Sequence, residues 1–333
     1  MYTSPDTLPD HIAVKLKERT ARSGIRRKPK VFHDTSNFTA IDYGDIIFVD
    51  NRYFWVSGYT REGRFGVDDQ PKPWVPRTID LATNQSYILK LVFHETFNIT
   101  MGDFEIKCYR SPEKEARVIE LVQGHERFMQ GYAVEDDGGN LVRILDVILG
   151  KRLDKYVTGR EGAHREYYET ALPAILAEFS KCTEGIVFLH KNGLKHGDIR
   201  RDHILVEYST GMFKWIDFDY DFYYPERPYS LDIFELGNIL LYIAGRGNYY
   251  PNEILNNPEM GDKVLSTIRW DDTSLISKNR IVNLKKIYPY IHEELNNILL
   301  HFSQGTNVFY ETVDEFYTDL KAFSKSLPQQ NTG

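Results

Sequence analysis

Two aspartates, Asp198 and Asp217, stand 19 positions apart with a short β-forming stretch between them. Asp198 lies in His196-Gly197-Asp198-Ile199-Arg200, a loop that leaves a long helical stretch. Asp217 sits in Trp215-Ile216-Asp217-Phe218-Asp219, an acid preceded by apolar residues. Ile204–Glu207 and Phe213–Ile216, joined by Ser209-Thr210-Gly211, predict a β-hairpin, which returns both acids to the same end. Phosphoryl transfer needs such an arrangement. One carboxylate orients the attacking hydroxyl and accepts its proton, and another holds a divalent cation against the phosphate oxygens. Arg200, beside the first acid, is placed to offset charge on a moving phosphoryl group.

The elements that must position these residues are legible in outline. Leu172–His190 is a long amphipathic stretch that stops near Asn192-Gly193. Leu231–Ala244 is almost wholly apolar and predicts a helix buried on all sides. Glu293–Phe302 and Val313–Leu327 predict further helices. Upstream, Ile46–Val49 and Tyr53–Val56 flank a turn at Asn51-Arg52, and Ser86–Phe93 reads as a strand carrying one lysine. Ser111-Pro112-Glu113 suits a helix start, and Ala116, Ile119 and Val122 follow at helical spacing. Tyr132–Glu135 and Leu141–Leu149 predict strands around Asp137-Gly138-Gly139-Asn140. The chain is therefore strand-rich before Gly150 and mainly helical after it.

Bulk properties narrow the function classes. The 333 residues suffice for two core-bearing parts. A net charge of −7 argues against a dedicated nucleic-acid binder. Cys108 and Cys182 form no disulfide framework, and no apolar run approaches a membrane span, so a cytoplasmic protein is expected. Residues 1–30 carry eight lysines and arginines in their second half and read as a solvated, partly mobile arm. No dinucleotide, zinc-protease or nucleophile-elbow motif is present.

The stretch from Leu189 to Asp219 resembles the protein-kinase superfamily, whose catalytic loop is H-R-D-x-x-x-x-N and whose metal motif is D-F-G. Asp198 falls on the catalytic Asp, His203 on the Asn, and Asp217-Phe218-Asp219 on D-F-G. The resemblance runs over roughly residues 55–325 in the proper order. Ile88-Leu89-Lys90 is similar to the strand lysine motif, Glu115 to its ion-pair partner, and Leu145-Asp146-Val147 to the adenine-reading hinge. Gly63-Arg64-Phe65-Gly66-Val67 looks like the back half of the Gly-rich loop. Asp232-Ile233-Phe234-Glu235-Leu236-Gly237 resembles the buried segment that anchors the catalytic loop.

The resemblance implies an α+β, bilobal kinase-like fold. A strand-rich N-lobe is expected over 31–147, a mainly helical C-lobe over 148–327 and a tail over 328–333. It further implies ATP with Mg²⁺ or Mn²⁺, and transfer of the γ-phosphoryl to a hydroxyl, foremost Ser or Thr of a protein. Lys90, positioned by Glu115, would hold the α/β-phosphates, and Asp217 the metal, with Asp198 as base. Four departures qualify this. His203 replaces Asn and either ligates a metal, favouring Mn²⁺ over Mg²⁺, or hydrogen-bonds Asp198. Gly197 replaces the Arg that senses a phosphorylated activation loop. Asp219 replaces Gly and either adds a second carboxylate to the metal or caps the next turn. Only Tyr220 to Leu231 separates Asp219 from Asp232, too short for a peptide platform. H-G-D and D-F-D also resemble aminoglycoside and choline phosphotransferases, so a small-molecule kinase is one alternative. A nucleotide-binding pseudokinase is another, and AMP transfer a third.

Overall fold

A computed structural model describes residues 2–64, 67–101, 104–256, 261–277 and 279–327. The tail expected over 328–333 lies outside the described residues. The chain divides into two compact units. The first comprises Met1–Glu95, Arg110–His125 and Met129–Ile148, and the second Thr96–Tyr109, Glu126–Phe128 and Leu149–Gly333. The expected α+β class holds: a curled, strand-rich sheet fills the first unit, and most helices lie in the second.

The sheet of the first unit has eight strands, ordered Tyr2–Thr3, Val31–Phe32, Ile46–Val49, Arg52–Arg64, Val67–Asp80, Ser86–Lys90, Leu141–Asp146 and Gly131–Glu135. Ile46–Val49 and Arg52–Arg64 meet at a two-residue turn in which Asp50 and Asn51 take φ of 55° and 56°. Positive φ at both central residues matches the right-handed twist of the flanking strands, and Asp and Asn tolerate it best among side-chain-bearing residues. The turn thus falls one residue earlier than the sequence pattern suggests.

Residues 1–30 are not the solvated arm expected. Asp10–Ser23 is a helix, ended by Gly24 at φ 71°. Leu8, Ile12 and Leu16 recur every four residues and bury against Val31, Ile46, Trp55 and Leu81. Burial of each such side chain is worth about 1.5–3 kcal/mol, enough to dock a helix whose other face is basic. The abundant lysines and arginines mask this stripe in composition.

In the second unit, Leu172–Lys191 buries eleven of its twenty residues. Helix Val313–Ser326, capped by Thr312 and Glu315, packs on it. Ser230–Gly245 is buried along nearly its whole length, as its composition predicts. A small antiparallel sheet joins Gly150–Arg152, Ile204–Glu207 and Phe213–Trp215. A second three-stranded sheet, not foreseen, sets Thr96–Met101 against Phe104–Arg110, and Phe104–Arg110 against Tyr220–Tyr223. Among the described residues no helix is long and apolar enough to cross a membrane.

Candidate active site

The loop that bears Asp198 is fixed by a buried carboxylate. After helix Leu172–Lys191 the chain reverses through Gly193 at φ 72°. The amides of His196 and Gly197 then donate to Asp232 at 2.8 and 2.9 Å, and His190 Nε2 lies 3.0 Å from the same group. Three hydrogen-bonding groups on one buried acid hold the loop far more firmly than solvent-exposed bonds would. Gly197 takes φ 84°, a left-handed conformation that side-chain-bearing residues rarely adopt. The His196 ring is wholly buried and packs edge-on to Trp215 and Phe218, each at 4.9 Å.

From Asp198 the chain makes one tight turn, Arg201–His203, into strand Ile204–Glu207. Ile204 pairs with Trp215, and the Ile216 amide donates to His203 O at 3.0 Å. This register sets His203 beside Asp217, so the hairpin does return the acids to one end. Asp217 itself takes φ 68°, a strained backbone that Asp tolerates and that functional turns often hold.

His203 stands between the acids. Its Nδ1 lies 2.9 Å from the backbone oxygen of Asp198 and 3.4 Å from Asp198 Oδ2, and its Nε2 lies 3.6 Å from Asp217 Oδ2. A carbonyl oxygen only accepts, so Nδ1 carries the proton and, in the neutral ring, Nε2 turns its lone pair toward Asp217. Of the two roles expected of His203, the structure shows the bond to Asp198, made to its backbone oxygen.

The electrostatics separate the carboxylates. Burial pushes Asp198 up to about 6, with His203 and Arg200 opposing and Asp217 and Asp219 reinforcing. Burial also acts on Asp202, but His203 and Arg200 outweigh it and hold Asp202 down to about 2. A carboxylate whose proton affinity approaches neutrality is suited to general-base work. Arg200 is engaged by Asp202 through two bonds, Nε at 3.0 Å and Nη2 at 2.8 Å. Asp219 is buried immediately after the apolar Phe218.

The other predicted residues lie in the first unit. Lys90 Nζ donates to Glu115 Oε1 at 2.7 Å, both buried, as the motif order implies. Helix Pro112–Leu121 presents Glu115 from its first turn, capped by Ser111. The sequence did not single out Arg143. It lies directly opposite Lys90 on the neighbouring strand and bonds Glu115 Oε2 at 3.2 Å. Like charges opposed across strands repel, and the shared carboxylate between them offsets this. Asp146 ends strand Leu141–Asp146, its amide donating to Gln130 O at 2.9 Å, and Val147 is exposed. Gly63 falls within strand Arg52–Arg64, and Gly66 lies outside the described residues.

Asp217 Oδ2 and His203 Nε2, 3.6 Å apart, would be the donors offered to a divalent cation, with phosphate oxygens completing its shell. Among the described residues no three or more His, Cys, Asp or Glu side chains converge as a self-sufficient metal cage.

No family model matches the sequence. A stretch of 246 residues is 22% identical to the smooth-muscle myosin light chain kinase of Gallus gallus. The match covers 72% of this chain and 12% of the length of that relative. Over this stretch the chain is distantly similar to a protein kinase, and it spans about an eighth of that relative's length.

Proposed function

We propose that the chain is an ATP-dependent phosphotransferase that moves the γ-phosphoryl group to a hydroxyl, foremost Ser or Thr of a protein. The observation that carries this reading is the convergence of Asp198, His203 and Asp217 on a loop pinned by Asp232. Asp198 orients the acceptor hydroxyl and takes its proton. Lys90, positioned by Glu115, holds the α/β-phosphates. Asp217 and His203 would hold Mg²⁺ or Mn²⁺, which when bound neutralises charge on the phosphate oxygens. Asp146 and Val147 offer backbone groups to adenine, and Gly63 and Gly66 cover the phosphates. In this reading residues 31–147 form the nucleotide-binding lobe and 148–327 the catalytic lobe.

The grip of Asp202 on Arg200 favours a second reading, a nucleotide-binding protein without turnover. One experiment separates the two. The purified chain is incubated with ATP and either metal, and the chain and candidate acceptors are weighed by intact mass. Phosphate adducts that disappear in Asp198→Ala are expected. Nucleotide adducts would indicate AMP transfer. No adduct and no ATP consumption, despite nucleotide-induced stabilisation, would establish the second reading. An Asp217→Asn variant with full metal-dependent turnover would overturn the site assignment.

A further inference from the structure

Lys195 immediately precedes His196-Gly197-Asp198, and Asp221 follows the Asp217 turn by four residues. The two side chains meet. Lys195 Nζ lies 2.9 Å from Asp221 Oδ1, donates to Phe222 O at 2.6 Å, and sits 4.1 Å from the centre of the Phe222 ring. Each partner of the pair is only 17% exposed, so the bond is shielded from solvent in a way surface ion pairs are not. Asp221 is held from two further sides. Its Oδ2 accepts from Tyr109 Oη at 3.4 Å, and its Oδ1 accepts the Phe222 amide at 2.8 Å.

These contacts belong to a larger fixture. Tyr220–Tyr223 is the outer strand of the sheet whose other members are Phe104–Arg110 and Thr96–Met101. Phe222 is buried with Ile106, Cys108 and Leu231, and Tyr220 packs edge-on to Phe97 at 5.4 Å. The segment after the metal turn is therefore a paired strand with a buried side chain at its centre. A loop awaiting an ordering signal would have neither feature. The loop position that could otherwise carry a cation toward this segment is Gly197, whose φ of 84° disfavours any side chain. Lys195 supplies that cation from two residues earlier.

We propose that Lys195 and Asp221 are positioning residues: their ion pair, seated on the Thr96–Arg110 hairpin, locks the Asp217 turn to the Asp198 loop. The site is then assembled without covalent modification of the segment between Asp217 and Leu231. The assignment rests on the reading of Asp198 and Asp217 as base and metal ligand, but the lock can be measured apart from turnover.

The test is hydrogen–deuterium exchange on the full chain. Lys195→Met, Asp221→Asn and Lys195→Arg are compared with wild type, each alongside a Mn²⁺ titration followed by electron paramagnetic resonance. Exchange at residues 217–224 is expected to quicken by about tenfold in Lys195→Met and Asp221→Asn, the scale of a lost shielded ion pair, with helix Val313–Ser326 unchanged. Lys195→Arg keeps the charge and should restore both slow exchange and Mn²⁺ affinity, which a role in bulk packing alone would not produce. Exchange at 217–224 that stays within about twofold of wild type in both charge-removing variants overturns the proposal. So does wild-type turnover that is lost on phosphatase treatment. If exchange responds as expected but wild type neither binds Mn²⁺ nor consumes ATP, the lock stands and the phosphotransferase reading falls. If wild type turns over but exchange does not respond, the lock falls and the phosphotransferase reading stands.

Discussion

At the residue scale the chemistry turns on His203. Its Nδ1 bond to the Asp198 carbonyl fixes the ring so that Nε2 faces Asp217 Oδ2 at 3.6 Å. Two electron-rich atoms so placed repel unless a cation or a proton lies between them. Imidazole nitrogen suits Mn²⁺ better than Mg²⁺, whose preference is for oxygen. Wild type is therefore expected to bind Mn²⁺ about tenfold tighter relative to Mg²⁺ than His203→Asn does. Metal titrations of both proteins in the presence of a non-hydrolysable ATP analogue check this. Co²⁺ offers an independent readout, because loss of a nitrogen donor shifts its visible absorption. An unchanged metal preference and an unchanged Co²⁺ spectrum in His203→Asn would restrict His203 to bonding Asp198.

At the element scale, adjacent strands bring Lys90 and Arg143 face to face, and helix Pro112–Leu121 delivers a carboxylate they share. Glu115→Ala removes the carboxylate that bonds both buried cations and should cost about 3–5 kcal/mol of stability. Arg143→Met leaves the Lys90–Glu115 pair intact and should cost less than about 2 kcal/mol. Chemical denaturation of the two variants checks the order, and an equal loss would deny Arg143 its place on Glu115. Lys90 and Glu115 are legible in the sequence because each stands in a motif of known order. Arg143 is not, because only the register of Leu141–Asp146 against Ser86–Lys90 makes it their neighbour. The same holds for Lys195, Asp221 and Tyr109, which meet across long separations in sequence. The Thr96–Arg110 hairpin does leave a trace: Phe97, Ile99 and Met101, then Phe104, Ile106 and Cys108, alternate on either side of Gly102-Asp103. The N-terminal helix leaves one too, in the four-residue spacing of Leu8, Ile12 and Leu16, hidden by the surrounding basic residues. Asp198, His203 and Asp217 are close in sequence because only a tight turn and one short hairpin separate them.

At the scale of the whole molecule, carboxylates set how stability responds to pH, and they pull in opposite directions. Burial raises Asp80, but the Arg52 guanidinium and the Ala82 amide outweigh it and leave its pKa lowered. Such a group stabilises the fold above its unfolded pKa, near 4, and loses that contribution as pH falls through its folded value. Asp80→Asn should therefore cost about 1–3 kcal/mol at pH 7, with the difference from wild type closing as pH falls through the lowered pKa of Asp80. Asp198 behaves inversely. Its folded pKa of about 6 exceeds the unfolded value, so the native state carries the full penalty of a buried charge at pH 7. The penalty fades as pH falls through 6 and is gone below the unfolded pKa. Asp198→Asn, without metal or nucleotide, should accordingly be more stable than wild type by about 2–3 kcal/mol at pH 7.5, and level with it below about pH 4. Melting temperatures from about pH 2 to pH 8 test both curves at once. A loss of stability in Asp198→Asn at pH 7.5 would mean that the Asp198 charge is compensated in the fold. Asp198 would then be an ordinary paired carboxylate, and the case for it as the base would rest on geometry alone. A gain confined to neutral pH would mark Asp198 as a place where the chain carries a cost in stability for the sake of a reaction.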